Sequence, residues 1–243
     1  MRRVCVFLEG QTELIFVREF LCKWYEYSDV KITCLQLRGN AFQSVEYDFG
    51  DENCANQFQL ISVGNDNKVL STLINRAGRL VETGYDLVVG LRDMYGEKYR
   101  EKAEGEVKEY LNEEFISIAY EELKNSIPEP ILNQVSVCFA IMEIETWILS
   151  MYPAIKRYYP MLSEMDLYDV GIPIEESMET IFHPAFNLSS LMQKCGKSYD
   201  KHKGEVNALM SVFDKSDYEV LIASKKSPTF NTFIGKLVGV EFI

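Results

Sequence analysis

Histidine is nearly absent from this chain. Only His183 and His202 occur in 243 residues, and neither has a partner at ligand spacing, so a zinc site is not expected. Paired cysteines are absent too. None of Cys5, Cys22, Cys34, Cys54, Cys138 and Cys195 forms a C-x-x-C pair. Cys5, Cys34 and Cys138 sit inside apolar, strand-like runs, where cysteine behaves as a small hydrophobe. No apolar run approaches the roughly 20 residues needed to cross a bilayer. Met1-Arg2-Arg3 leads into only five apolar residues before Glu9, too few for the core of a secretory signal. These absences predict a reducing, cytoplasmic setting and no membrane partner. A surplus of positive charge is missing as well: the formal net charge is −12. That argues against a general nucleic-acid coat protein, which needs a dominant basic surface. An enzyme acting on nucleic acid remains open, because carboxylates gathered around divalent cations lower the formal charge while the ions restore positive potential.

Apolar residues make up 47% of the chain and charged residues 26%, enough of both for a folded globular protein. Strand-like apolar runs fall at 3–8, 30–37, 85–91 and 134–141. Helical spacing of apolar residues falls at 12–27, 68–81 and 99–125. The alternation predicts an α/β fold, with a mostly parallel central sheet, helices on both faces and a helical C-terminal part. Residues 38–67 are polar, with strand-like islands, and read as a hairpin insertion. Beyond Tyr152, prolines at 153, 160, 173 and 184 punctuate short helical pieces. The expected organisation is a sheet domain over 1–151 and a helical extension packed on it over 152–243.

Three of the predicted strands end in acids: Glu9, Asp93, and Glu143 with Glu145. Ligands of parallel α/β sheets collect beyond the carboxyl ends of the strands, so these carboxylates are expected to converge. Their repulsion is costly unless cations bind, and hard oxygen ligands suit Mg²⁺ or Mn²⁺. Glu13 lies one helical turn beyond Glu9, with Gly10 permitting a tight turn and close backbone approach. If the strand continues, Glu143 and Glu145 share a face. Each acid has a plainer reading: Glu13 as a first-turn helix residue, Asp93 as a cap. The E-x-E beside Ile144 and Trp147 is harder to dismiss, because it places charge against a core.

The stretch FLEGQTE (Phe7 to Glu13) resembles the first Toprim motif, a strand ending in Glu-Gly before a helix. LVVGLRDMYG (Leu87 to Gly96) resembles the second, in which a strand ends in Asp-x-Asp. The order of elements is similar to the Toprim half of overcoming-lysogenization-defect (OLD) nucleases. EIETWIL (Glu143 to Leu149) resembles a segment of an uncharacterised Toprim-like family found near bacterial defence genes, domain of unknown function 4276, and the chain is identified as a member. The resemblance implies a Toprim-like fold and one or two Mg²⁺ or Mn²⁺ ions held by Glu9, Glu13, Asp93, Glu143 and Glu145. It also implies a lysine downstream of the acids that assists phosphate chemistry. Tyr95 stands where the second Asp of Asp-x-Asp is expected, and a protonated phenol is a poor hard-cation ligand.

Lys194, Lys197, Lys201, His202 and Lys203 cluster around Tyr199. Lys201 is the first choice for the catalytic lysine, with Lys197 the alternate. Lys194, Lys197, Lys201 and Lys203 together are expected to contact phosphate or nucleic acid. A solvated helix end is the plain alternative. Gly196-Lys197-Ser198 looks like part of a phosphate-binding P-loop, but Leu191 fills the required earlier glycine position and no strand precedes it. No organic cofactor is expected, and any ATP hydrolysis falls to a partner, such as an ATPase of a defence system. Two functions follow. One is a hydrolase: a metal-dependent endonuclease in which Glu9 is a ligand or general acid/base. The other is a non-catalytic Toprim-like module that binds a partner protein in a defence or toxin system.

Overall fold

The computed structural model describes residues 1–240. Along the chain run β1 (Arg2–Leu8), α1 (Gln11–Trp24), β2 (Val30–Arg38), β3 (Ala41–Ser44), β4 (Asn56–Ser62), α2 (Asp66–Glu82) and β5 (Leu87–Asp93). After them come α3 (Glu97–Ala103), α4 (Glu109–Ser126) and β6 (Val135–Ala140). The remainder is helical: α5 (Glu145–Ser150), α6 (Tyr152–Tyr158), α7 (Glu164–Asp169), α8 (Pro184–Lys194), α9 (Lys203–Met210), α10 (Lys215–Ser224) and α11 (Pro228–Val238). The expected α/β class is the observed one. The final three residues of the 152–243 extension lie outside the described residues. Among the described residues, no helix is long and apolar enough to cross a membrane.

Six strands form one mostly parallel sheet in the order β3-β2-β4-β1-β5-β6. Val4 to Leu8 are all fully buried, as expected of an interior parallel strand covered on both faces. Helix α1 carries the chain from β1 to β2, and α2 carries it from β4 to β5, in opposite directions across the sheet. Right-handed crossovers therefore place α1 and α2 on opposite faces.

Two expectations are corrected by the architecture. Residues 38–67 are not an insertion. Only β3 forms a hairpin with β2, whereas β4 runs parallel to both β1 and β2, with Phe58 opposite Val4 and Ile32. Gln57 and Gln59 give β4 an alternating pattern that mimics an exposed strand, but Leu60 and Ile61 are fully buried. The single helix expected over 99–125 is two. Glu104 adopts a left-handed conformation (φ 57°) and Gly105 follows at φ 91°, which ends α3 as left-handed residues commonly do at a helix C-terminus.

The described residues pack as two compact units: residues 1–92 with 113–139, and residues 93–112 with 140–240. This division differs from a cut near 151. The second unit recruits the segment after β5 as well as the chain beyond β6.

One prediction concerns the turn into β4. Phe49 and Ile32 exchange backbone hydrogen bonds of 2.8 and 2.9 Å. Gly50 follows at φ +77°, where an added Cβ would sit 2.1 Å from the Val30 carbonyl oxygen. Gly39 is also left-handed (φ +60°) but has nothing within 4 Å of that position. Gly39→Ala should cost only the left-handed penalty of about 1–2 kcal/mol. Gly50→Ala adds a backbone clash and should lose about 3 kcal/mol or more. Urea unfolding of the two variants checks this, and equal losses would refute the clash argument.

Candidate functional site

In the first unit, Glu9 directly follows β1, and its carbonyl accepts the Gly64 N–H at 2.7 Å. Glu13 is buried, and its Oε2 accepts the Gly10 N–H at 2.8 Å. The plainer reading of Glu13, as a helix-capping carboxylate, is thus part of its role. Gly10 itself is extended (φ −143°, ψ −159°) rather than left-handed. A Cβ there would lie 3.2 Å from Glu13 Oε2, so the glycine serves close approach of that carboxylate and not a tight turn.

The second unit contains the more developed arrangement. Strand β6 ends at Ala140, and buried Met142 then turns the chain in a left-handed conformation (φ 62°). Glu143 N–H bonds to Ile141 O at 3.0 Å. The Thr146 hydroxyl ties the turn together by donating to Glu143 O at 2.9 Å. Glu145 opens α5 and is fully buried. The strand therefore does not continue through the E-x-E, and the two acids do not share a face of a strand. A turn aims them at one place instead. The segment after β5 is bonded to the same turn, with Met94 N–H to Ala140 O at 3.0 Å and Tyr95 N–H to Met142 O at 2.9 Å. Asp93, expected just past its strand, is the last residue of β5 and is buried.

Lys201 is the cation at that place. Its Nζ lies 2.7 Å from Glu143 Oε1 and 3.2 Å from Glu145 Oε2. The buried Tyr199 hydroxyl donates to the other Glu145 oxygen at 2.7 Å. Burial by itself would lower the pKa of the Lys201 ammonium. The charges of Glu145 and Glu143, and beyond them Asp93, outweigh burial and hold it well above the ordinary lysine value. Lys201 also has a left-handed backbone (φ 59°). Two non-glycine residues in that region, Met142 and Lys201, thus flank one charge cluster. Each costs about 1–2 kcal/mol, and such strain collects at functional sites.

Glu205 on α9 holds the lysine loop in place. Its carboxylate accepts the Ser198 hydroxyl at 2.5 Å, the Asp200 N–H at 2.7 Å and the His202 N–H at 3.3 Å. Those donors, the Ser198 hydroxyl foremost, keep its pKa below the usual glutamate range. Tyr95 is also engaged: its hydroxyl lies 2.6 Å from His183 Nδ1, and the Arg100 guanidinium sits 4.8 Å from its ring centroid.

Two of the four lysines expected to contact phosphate are engaged by carboxylates. Lys201 faces Glu143 and Glu145, while Lys194 bridges Asp166 at 3.5 Å and Asp169 at 3.3 Å. Lys197 is exposed and Lys203 opens α9. In an acidic chain, neighbouring carboxylates neutralise lysines locally, and charge spacing in sequence does not reveal those partners. Sequence reading also missed the bond from Tyr199 to Glu145 and the pairing of Tyr95 with His183. A tyrosine two residues before a lysine carries no signal of either.

Among the described residues, no three His, Cys, Asp or Glu side chains converge as ligands of one ion. The carboxylates converge on an ammonium. In kind, Asp93, Glu143 and Glu145 form an all-oxygen donor set suited to a hard divalent ion. In spacing, Glu143 and Glu145 close on Lys201.

Compared with known proteins, residues 8–238 match the family model described as domain of unknown function DUF4276. No curated protein and no solved structure matches the chain.

Proposed function

For a chain that belongs to the DUF4276 family, we propose a Toprim-like, OLD-type activity: divalent-metal-dependent hydrolysis of phosphodiester bonds in nucleic acid. The observation that carries this reading is the Lys201 ammonium seated between Glu143 and Glu145, 2.7 and 3.2 Å away. Carboxylates brought to one cation position by strained backbone are costly to assemble for structural purposes alone. Glu143 and Glu145, which already meet at one cation position, would hold Mg²⁺ or Mn²⁺, and Asp93 would join them only on rearrangement, since among the described residues no three acids converge. When bound, the ion supplies a polarised phosphate and a water acidic enough to attack. Lys201 places positive charge against the oxyanion that develops on phosphorus. Tyr199 is a positioning residue that fixes Glu145, and Glu205 fixes the loop that carries Lys201. Glu9 and Glu13 enter on sequence resemblance, Glu9 as ligand or general acid/base.

A second reading is favoured by the same ion cluster, whose carboxylates already have an internal cation in Lys201, together with the −12 charge. In it the charges are a structural tie within a module that binds a partner protein. One experiment separates the two. Melting and nuclease assays on single- and double-stranded DNA and RNA would be run with EDTA, Mg²⁺ and Mn²⁺. The wild type should melt higher with metal, by up to about 2.7 kcal/mol of stabilisation at a hundredfold excess over Kd. Glu143→Gln should lose that response and at least about 10²-fold in turnover. Glu9→Gln tests the resemblance separately. A wild type that cleaves nothing and ignores metal would leave the binding module as the better reading.

A further inference from the structure

A cleft of about 420 Å³ lies in the first unit, well away in sequence from the charge cluster, and is lined by Asn40, Lys68, Thr72, Asn75 and Arg76 among others. We infer that this cleft binds a phosphate group, either that of a nucleotide or one in the backbone of a single-stranded nucleic acid.

Its position follows from the topology. Leu37, near the end of β2, and Val63, just after β4, form its floor. Parallel strands of α/β sheets gather ligands at that edge. Helix α2 forms one wall: Lys68, Thr72 and Asn75 with Arg76 recur at a spacing that puts them on one helix face. Gly39 and Asn40, in the turn from β2 to β3, form the other wall.

Its chemistry is the reverse of the chain as a whole. Net charge is −12, yet among the described residues no carboxylate lines the cleft, which presents Lys68 and Arg76. Its other polar groups are two amides and a hydroxyl, which donate readily to oxyanions. Arg76 is already oriented. Its Nη2 donates to the Asn40 carbonyl at 3.0 Å, and its guanidinium lies 4.8 Å from the Phe42 ring centroid. A guanidinium held in this way loses less freedom on meeting an anion and favours bidentate contact with phosphate. The volume is in the range of small-ligand sites, roughly 300–1,000 Å³, and exceeds what a bare phosphate fills.

The test is binding by the full chain in EDTA, with no turnover involved. Inorganic phosphate and a nucleoside monophosphate would be titrated by calorimetry, and a short labelled single-stranded oligonucleotide by fluorescence anisotropy. Lys68→Ala and Arg76→Gln should each weaken binding about tenfold or more, the size of losing one charged contact, and added salt should weaken the wild type. Lys68 is exposed, so its variant tests the cleft even if Arg76→Gln disturbs the turn. Binding of the nucleotide alone assigns the cleft to a small effector, and binding of the oligonucleotide alone assigns it to the nucleic-acid backbone. Lys68→Ala should keep the metal-dependent rise in melting temperature, which separates this inference from the proposed hydrolysis. No binding of any probe, or unchanged affinity in both variants, overturns it.

Discussion

Lys201→Ala should lower turnover in the proposed hydrolysis by about 10²-fold or more, the usual loss when one electrostatic stabiliser is removed, and should destabilise the protein as well. Its ammonium is the cation that faces both Glu143 and the fully buried Glu145. Breaking a fully buried pair costs about 3–5 kcal/mol. A third of the Lys201 side chain is exposed, 35%, so solvent screening reduces the expectation to about 2–3 kcal/mol. The pH dependence has a definite sign. The folded pKa of Lys201 is raised above its ordinary value, so its stabilising contribution is complete below the ordinary lysine range. It is lost only as pH rises through the folded value. Wild type and variant should therefore differ by a constant amount across neutral and mildly alkaline pH, and converge in strong alkali. Metal gives the sharpest contrast. An ammonium offers no lone pair, so its removal cannot delete a ligand, and Mn²⁺ should restore part of the stability of Lys201→Ala. Denaturant melts with and without Mn²⁺ measure this. If Mn²⁺ leaves the variant unmoved while acid restores it, the carboxylates are a structural pair and not an ion site.

Trp147→Ala should be at least as damaging to stability. The indole is fully buried. It stacks on Phe233 at 5.6 Å, meets the edge of Phe230 at 5.5 Å, and donates from Nε1 to Thr229 Oγ1 at 3.0 Å. Truncating a buried tryptophan costs about 3–5 kcal/mol in transfer energy and residual cavity. In a protein of this size that corresponds to roughly 2–4 °C of melting temperature per kcal/mol. Trp147→Phe keeps the aromatic packing and loses only the bond to Thr229, whose hydroxyl still donates to Glu179, and should cost only about 1–2 kcal/mol. Because Trp147 lies two residues beyond Glu145 on α5, Trp147→Ala should also reduce turnover in the proposed hydrolysis at temperatures where the variant remains folded. Thermal melts of both variants decide the first point. A loss below about 1 kcal/mol in Trp147→Ala would mean that α5 is not anchored through this ring.

The fold class was legible in the sequence because continuous apolar runs such as Val4 to Leu8 admit few alternatives. A strand buried on both faces needs that pattern, and the helical spacing between such runs needs a crossover. Helix boundaries were less legible: nothing in the apolar spacing over 99–125 marks the left-handed Glu104 that splits it. Strand β4 was misread because Gln57 and Gln59 obey a local alternation, while its central place depends on partners that are remote in sequence.

For the candidate site, Lys201 was singled out through the family resemblance, whereas Asp93, Glu143 and Glu145 came from the residues themselves, since acids after buried strands are chemically conspicuous. Their relation to one another did not. Sequence fixes which side chains carry charge, because composition is local. Which charges meet depends on the Met142 turn, on the loop held by Glu205 and on Tyr199, all non-local arrangements in which only the folded chain decides whether a lysine faces solvent, a phosphate or two glutamates.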